Sequence, residues 1–344
     1  MVNDLARWAG RRLIYQAPHE RTQCPACAST RLDVLGVHKL EKAIENRKSA
    51  LISGCQACGL VFVNPPPSDE DLLARYAPAG EWARHRSEPV EPSPVDHKKA
   101  GSGSWPRLFD AVRAEFDVTS PPAGSRVLDF GCGRGKLLDV LQACGWETFG
   151  IEPASDAAFQ RHHRLIEIPT TPTFDLIVAH HVLEHVAEPL ALLKQLAAAC
   201  QPGAFLLVAV PRLDTLPVHR DYTYVISRVH VTSYTATCLA GLLARAGFST
   251  VEAPPDEVMI AGGRRTTARL RMLAQRVPHE VPLPVRPLDP ARAALRAYAR
   301  QDTSRAHARR RFPRLSARMI ESRRWFRRNI GVRLEHVQRR PNTP

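Results

Sequence analysis

The stretch that decides the fold is Val127-Leu-Asp-Phe-Gly-Cys-Gly-Arg-Gly135. The segment from Arg126 to Phe130 has the apolar and β-branched content of a short buried strand, and Lys136 begins a run with apolar residues at helical spacing. A strand that turns at once into a helix needs glycines, because they reach unusual φ/ψ angles and let a ligand approach bare backbone. Such a turn, at the carboxyl end of a first strand, predicts an open α/β sheet with a site for a nucleotide-like ligand.

Two acidic residues narrow the choice of ligand. The glycines are spaced Gly-x-Gly-x-Gly, and Lys136 stands where a dinucleotide fingerprint has its third glycine, which argues against NAD. Asp129 lies just before the turn, where its carboxylate could meet an ammonium group. Glu152 closes the predicted second strand, where an acidic residue can accept from both hydroxyls of a ribose. The pattern favours a ligand with a ribose, a cationic amino end and no pyrophosphate.

Three segments in order resemble the class I S-adenosylmethionine (SAM)-dependent methyltransferases. Val127 to Gly135 is similar to their first motif, Gly150-Ile-Glu-Pro153 to their second, and Phe174 to His185 to the strand and helix entry that follow. The resemblance implies an α/β, doubly wound, Rossmann-like sheet of seven strands with an antiparallel last strand. The residues that it assigns to SAM are Asp129, Gly131, Cys132, Gly133, Gly135, Glu152, His180 and His181.

Four of the eight cysteines form two Cys-x-x-Cys pairs, Cys24/Cys27 and Cys55/Cys58. Four thiolates in this spacing can surround a tetrahedral ion at about 2.3 Å, as in zinc ribbons. Since the protein would fill all four positions, the spacing predicts a structural Zn²⁺ rather than a catalytic one. Two disulfides or a redox pair are the alternatives.

The segment after the second cysteine pair adds a further resemblance. Gly59-Leu-Val-Phe-Val-Asn-Pro65, followed by a predicted helix from Ser68 to Tyr76, is similar to the N-terminal part of bacterial methyltransferases of deoxysugar and surface-polysaccharide pathways. In that group a tyrosine at this place can face the substrate, so Tyr76 is a candidate substrate-binding residue. An ordinary packed tyrosine is the alternative.

The rest of the sheet is predicted from apolar runs. Leu165 to Ile168 is expected as the third strand, Asp175 to Ala179 as the fourth and Pro202 to Pro211 as the fifth. The last strands are expected at Phe248 to Ala253 and Glu257 to Ile260.

Histidines provide the candidates for proton removal, because their pKa suits acid–base chemistry near neutral pH. His230 lies in Arg228-Val-His-Val-Thr-Ser-Tyr-Thr235, which resembles a family stretch in which a histidine faces the acceptor. His230 is therefore the predicted general base, with a structural or substrate-binding role as the alternative. His185 is predicted to line the substrate pocket.

The net charge of +14 is concentrated in the last quarter of the chain. Residues 264–344 contain 22 arginines, no lysine and five acidic residues. This tail is predicted to be a basic helical extension; contact with an anionic membrane, contact with RNA and plain solvation are the open interpretations.

No apolar run approaches the roughly 20 residues of a membrane span, and no signal-peptide pattern is present. Both observations favour a cytoplasmic protein, with peripheral attachment at the inner membrane surface as a further option.

These observations predict four regions: a zinc-ribbon-like four-cysteine module at 20–66, a helix and linker at 67–104, a SAM-binding methyltransferase domain at 105–262, and the arginine-rich extension at 263–344. The predicted function is methyl transfer from SAM to a small polar acceptor, most simply a sugar, nucleotide-sugar or glycan. An RNA base methyltransferase and a non-catalytic SAM-binding scaffold are the alternatives.

Overall fold

The computed structural model describes residues 21–44, 47–67, 116–153, 161–216, 225–227, 229–251, 257–260, 263–266, 269–278 and 286–297. Tyr76, the predicted helix from Ser68 to Tyr76 and most of the arginine-rich tail lie outside the described residues. Residues up to Leu295 belong to one compact unit.

A large sheet and a small one organise this unit. The strands are, in chain order, β1 Leu32–Ile44, β2 Arg47–Cys55, β3 Val61–Asn64, β4 Arg126–Phe130, β5 Glu147–Ile151, β6 His163–Arg164, β7 Phe174–His180, β8 Cys200–Pro211, β9 Thr232–Ser233, β10 Phe248–Val251, β11 Glu257–Ile260, β12 Gly263–Thr266 and β13 Arg269–Arg276. The helices are α1 Lys136–Ala143, α2 Pro189–Ala199 and α3 Ala236–Arg245, with 3₁₀ turns at Leu183–His185 and Leu213–Thr215. A further helix begins at Asp289.

The large sheet has the order β10-β13-β8-β7-β4-β5-β6. The strands from β8 to β6 run parallel, whereas β13 is antiparallel to both of its neighbours. The chain order reverses beside β4, so the carboxyl ends of β4, β5 and β7 open onto the topological switch point where such sheets bind ligands. This topology confirms the predicted doubly wound α/β fold.

Alternate residues of the central strands pack into two apolar layers. Val127 in β4 and Val178 in β7 face the layer that contains α1, together with Trp146. Leu128 and Ile177 face the layer that contains α2 and α3. Because the sheet is buried on both faces, its strands are continuous apolar runs rather than alternating ones.

One predicted strand is wrong, and another predicted strand is present but belongs to a different sheet. The third strand is not Leu165 to Ile168 but the two-residue β6, and only the Leu165 amide continues the pairing by donating to the Gly150 carbonyl at 2.9 Å. Glu257–Ile260 pairs with β12 in a separate hairpin. The antiparallel strand of the large sheet is β13, so the sheet extends beyond the domain boundary expected at residue 262. The described part of the extension therefore contains strands as well as helix.

The small sheet joins the cysteine pairs to the methyltransferase sheet. Its order is β1-β2-β3-β9, and β9 comes from the loop that follows β8. Val61 and Phe62 pair with Ser233 and Thr232 in antiparallel register. The Val63 amide also donates to the Val231 carbonyl at 3.0 Å. The strand after the second cysteine pair therefore fixes the backbone next to His230.

Among the described residues, no helix has both the length and the apolar content that a membrane span requires.

Candidate active site and cysteine cluster

The glycine turn at the end of β4 forms the floor of the candidate site. Gly131 and Gly133 have φ angles of 81° and 56°, and Gly135 caps the start of α1 with φ 76°. A Cβ on Gly131 would lie 2.5 Å from Val182 Cγ2, whereas a Cβ on Gly133 would meet nothing within 4 Å. Gly131 is therefore required by packing, and Gly133 leaves bare backbone facing open space, as a ligand site needs.

Two buried carboxylates, Asp129 and Glu152, flank this turn. Glu152 follows β5, and its Oε2 accepts from the Gly133 amide at 2.9 Å. Asp129 is buried within β4, and burial, with the charge of Glu152 adding to it, raises its pKa to about 7. A buried carboxylate beside another acid is stabilised by a cation, so the pair suits the ammonium group of an amino-acid-bearing ligand.

Cys132 is buried at the base of the turn, where its amide donates to the Ile151 carbonyl at 3.2 Å. This bond and the one from the Gly131 amide to the same carbonyl, at 2.8 Å, tie the turn to the end of β5. The backbone of Cys132, rather than its thiol, is thus the part that shapes the site.

His180 and His181 end β7 beside the turn, with ring centroids 4.6 Å apart. His181 has a φ of 57°, unusual for a residue with a side chain, and its amide donates to the Ala209 carbonyl at 2.8 Å. Its Nδ1 lies 2.8 Å from Glu184 Oε1. The side chain of His181 is therefore directed toward Glu184.

The structure brings together two histidines that are 45 positions apart in the sequence. The rings of His185 and His230 have centroids 4.8 Å apart. His185 Nδ1 donates to the Val229 carbonyl at 2.9 Å, and the His230 amide donates to Ser227 Oγ at 3.1 Å. The first bond attaches the loop that carries His230 to the 3₁₀ turn after β7, and the second lies within that loop.

Glu184 is a candidate site residue that the sequence alone did not single out. It is only 1% exposed and lies with His185 and His230 in a group whose ligand atoms are within 4.8 Å of one another. Burial alone would raise its pKa, but the hydrogen bond from His181 and the charges of the surrounding histidines lower it below the ordinary value. The local sequence Leu-Glu-His gave no sign that the carboxylate is buried.

The four N-terminal cysteines form a second cluster, distinct from the glycine turn. Their sulfur atoms lie within 4.8 Å of one another, with Cys24 Sγ 3.5 Å from Cys58 Sγ and Cys27 Sγ 3.6 Å from Cys55 Sγ. All four are free thiols, and these distances greatly exceed a disulfide bond of about 2.05 Å. A tetrahedral ion at about 2.3 Å from each sulfur would hold them about 3.8 Å apart, so the cluster fits such an ion.

The comparisons with known proteins agree with this geometry. Residues 101–253 match the family described as a methyltransferase domain. Over 100 residues the chain is 34% identical to the ubiquinone biosynthesis O-methyltransferase of Bradyrhizobium diazoefficiens, a match that covers 25% of this chain and 40% of that protein. The corresponding protein of Nitrobacter winogradskyi is 34% identical over 117 residues, covering 29% of this chain and 45% of that protein. The chain thus spans less than half the length of these relatives.

Solved methyltransferase structures are also similar, at low identity. The magnesium protoporphyrin IX methyltransferase of Synechocystis, crystallised with bound S-adenosylhomocysteine, is 16% identical and has a TM-score of 0.41, covering 60% of this chain and 100% of that chain. The sheet topology and the glycine turn between two buried carboxylates define a class I, Rossmann-like methyltransferase domain. With the family match over residues 101–253, these features indicate a methyltransferase domain in this part of the chain.

Proposed function

We propose that the protein transfers the methyl group of SAM to a hydroxyl group of a small polar acceptor of the sugar, nucleotide-sugar or glycan type. The observation that carries the methyl transfer is the bare glycine turn between Asp129 and Glu152. The resemblance of the N-terminal region to deoxysugar-pathway methyltransferases supports the acceptor class. The relatives' description as O-methyltransferases supports oxygen as the acceptor atom.

In this proposal Asp129 binds the ammonium group of SAM, and Glu152 accepts from its ribose hydroxyls. The acceptor oxygen attacks the methyl carbon in line with the sulfonium sulfur, so that the O–C bond forms, the C–S bond breaks and S-adenosylhomocysteine leaves. Alignment of the two reactants can supply about 7–11 kcal/mol of the barrier. The hydroxyl proton leaves toward His230, the predicted base in the loop before β9, with His185 of the 3₁₀ turn beside it.

We also propose that Cys24, Cys27, Cys55 and Cys58 hold a structural Zn²⁺. The ion would stabilise the folded small sheet, because the four thiolates are gathered around one ion only in the folded chain and the binding free energy adds to the folding free energy. Since β3 of this sheet pairs with β9, the module would help to position His230. Tyr76, the other proposed acceptor contact, lies outside the described residues.

Calorimetry and methyl transfer together test the proposed function. We expect SAM and S-adenosylhomocysteine to bind the purified full chain, and Asp129→Ala to abolish that binding, while Glu167→Gln, an exposed carboxylate, leaves it unchanged. Radiolabelled SAM is then offered with nucleotide sugars, with hydroxylated aromatic compounds and with structured RNA in separate reactions. Label in the sugar pool supports the proposal. Label confined to RNA would overturn the acceptor, and binding of NADH without SAM would overturn the methyl transfer.

A further inference from the structure

A buried carboxylate and two histidines meet where the 3₁₀ turn after β7 contacts the loop before β9. Glu184, His185 and His230 each place one possible ligand atom within 4.8 Å of the others. The three residues come from two separate segments, which the bond from His185 Nδ1 to the Val229 carbonyl holds together. This Glu184 cluster shares no residue with the four cysteines and uses ligands of a different chemistry.

One carboxylate oxygen of Glu184 lacks a hydrogen-bond donor or a cation among the described residues. Its Oε1 accepts from His181, but its Oε2 is buried and has no hydrogen-bond partner among the described residues. An oxygen of a buried, ionised carboxylate that lacks a partner is costly, since desolvation is not offset by a hydrogen bond. A cation in contact with Oε2 would remove that cost.

The histidine next to Glu184 is arranged as metal-binding histidines are. The Nδ1–H of His185 donates to a backbone carbonyl, so in the neutral, metal-binding form of the ring the tautomer is fixed with the lone pair on Nε2. The bond from His181 to Glu184 Oε1 is likewise an outer contact that orients a ligating carboxylate. These outer contacts orient both side chains, and Glu184 Oε2 stays buried without a hydrogen-bond partner among the described residues.

We infer that Glu184, His185 and His230 form a binding site for a divalent metal ion, separate from the cysteine cluster. Ligand atoms at about 2.0–2.2 Å from such an ion are about 3–3.6 Å apart, so atoms already within 4.8 Å need only small side-chain rotations. Two imidazoles and one carboxylate favour Zn²⁺, Fe²⁺ or Mn²⁺ over Ca²⁺. Three protein ligands leave at least one coordination position open to water or to an oxygen atom of the acceptor.

A metal ion at this site is not part of the proposed methyl transfer, and it changes the role of His230 in that reaction. A neutral imidazole that binds an ion through one nitrogen carries its proton on the other, so a metal-bound His230 cannot also accept a proton. In the metal-bound protein His230 is therefore a ligand and not the general base.

Metal content and cobalt spectroscopy of the full chain test the site without measuring activity. After reconstitution with excess Zn²⁺ and desalting, we expect about two ions per wild-type chain, and about one for Glu184→Gln or His230→Gln. Glu167→Gln should keep both ions. With Co²⁺, the cysteine cluster should give intense thiolate charge-transfer bands that survive in Glu184→Gln, while the weaker bands of a nitrogen and oxygen site disappear.

Heat of SAM binding shows that each variant is folded and separates this test from that of the proposed function. One ion per chain in both wild type and Glu184→Gln, with SAM binding intact, would overturn the metal site and favour a bridging water or a proton relay. Loss of both ions together in Glu184→Gln, with SAM binding retained, would also contradict two independent sites.

Discussion

At the scale of single residues, Gly133 and Gly124 have similar backbones in different surroundings. Both have positive φ angles, 56° and 81°, and a Cβ on either would meet nothing within 4 Å. Gly124 lies in the turn before β4, at the opposite end of that strand from Gly133. Alanine substitutions at these two positions therefore separate the conformational cost of adding a side chain from the effect of that side chain on ligand binding.

We expect Gly133→Ala and Gly124→Ala to lower the free energy of unfolding by similar amounts, about 1–2 kcal/mol, because each forces a side chain into the left-handed region. Only Gly133→Ala should weaken SAM binding, by at least about tenfold or ~1.4 kcal/mol, since its methyl group enters the open face of the turn. Urea unfolding and calorimetry measure the two effects. Equal SAM affinities of the two variants would show that the ligand does not approach Gly133.

Asp129 makes the stability of the ligand-free protein depend on pH. Its pKa is raised from 3.8 to about 7 by burial and by Glu152, so between these values the folded state binds the proton that the unfolded state has lost. The contribution of this group is thus fully present below about pH 4 and declines as the pH rises to about 7. A shift of this size corresponds to at most about 4 kcal/mol.

We expect ligand-free Asp129→Asn to melt at a higher temperature than wild type at pH 8, with the difference shrinking as the pH is lowered toward 4. The same variant should not bind SAM. Thermal unfolding across this pH range, with Glu167→Gln as the control for a lost exposed charge, measures the effect. A difference that is constant with pH would mean that the carboxyl is not desolvated in the folded state.

At the scale of elements, β13 and β6 show why strand prediction failed where it did. β6 has two exposed residues and pairs only with β5, so no apolar run marks it. β13 contains four polar residues, but its Leu273 and Ala274 are buried between β8 and β10. The basic composition around it suggested a solvated helix. Pairing with two neighbours overrides the local propensity of a sequence rich in arginine.

At the scale of the whole molecule, the cysteine module is joined by its sheet to the loop that carries His230. Hydrogen bonds between β3 and the chain at 231–233 place the module against the loop that carries His230. Gly59, which follows the second cysteine pair, has φ 79°, and a Cβ there would lie 2.5 Å from the Pro287 carbonyl oxygen. The chain before and after the methyltransferase sheet therefore meets at this module.

We expect Cys24→Ser to lose the ion of the cysteine cluster and to speed amide hydrogen exchange at residues 231–233, because β3 would no longer hold β9. Methyl transfer should fall, while SAM affinity stays unchanged, since the glycine turn lies elsewhere. Cys144→Ser, at the end of α1, is the matched control and should change none of these. Unchanged exchange at 231–233 in Cys24→Ser would show that β9 is held without the module.

The sequence alone determined the doubly wound fold, the glycine turn with Asp129 and Glu152, and the grouping of four cysteines. These features depend on residues close together in the chain, and their spacing carries the physical constraint directly. The tertiary structure alone decided that His185 and His230 meet, that the buried carboxylate of Glu184 lies beside them, and that β3 pairs with β9. Each of these contacts joins segments far apart in sequence, and nothing in local periodicity or spacing encodes which distant segments will pack together.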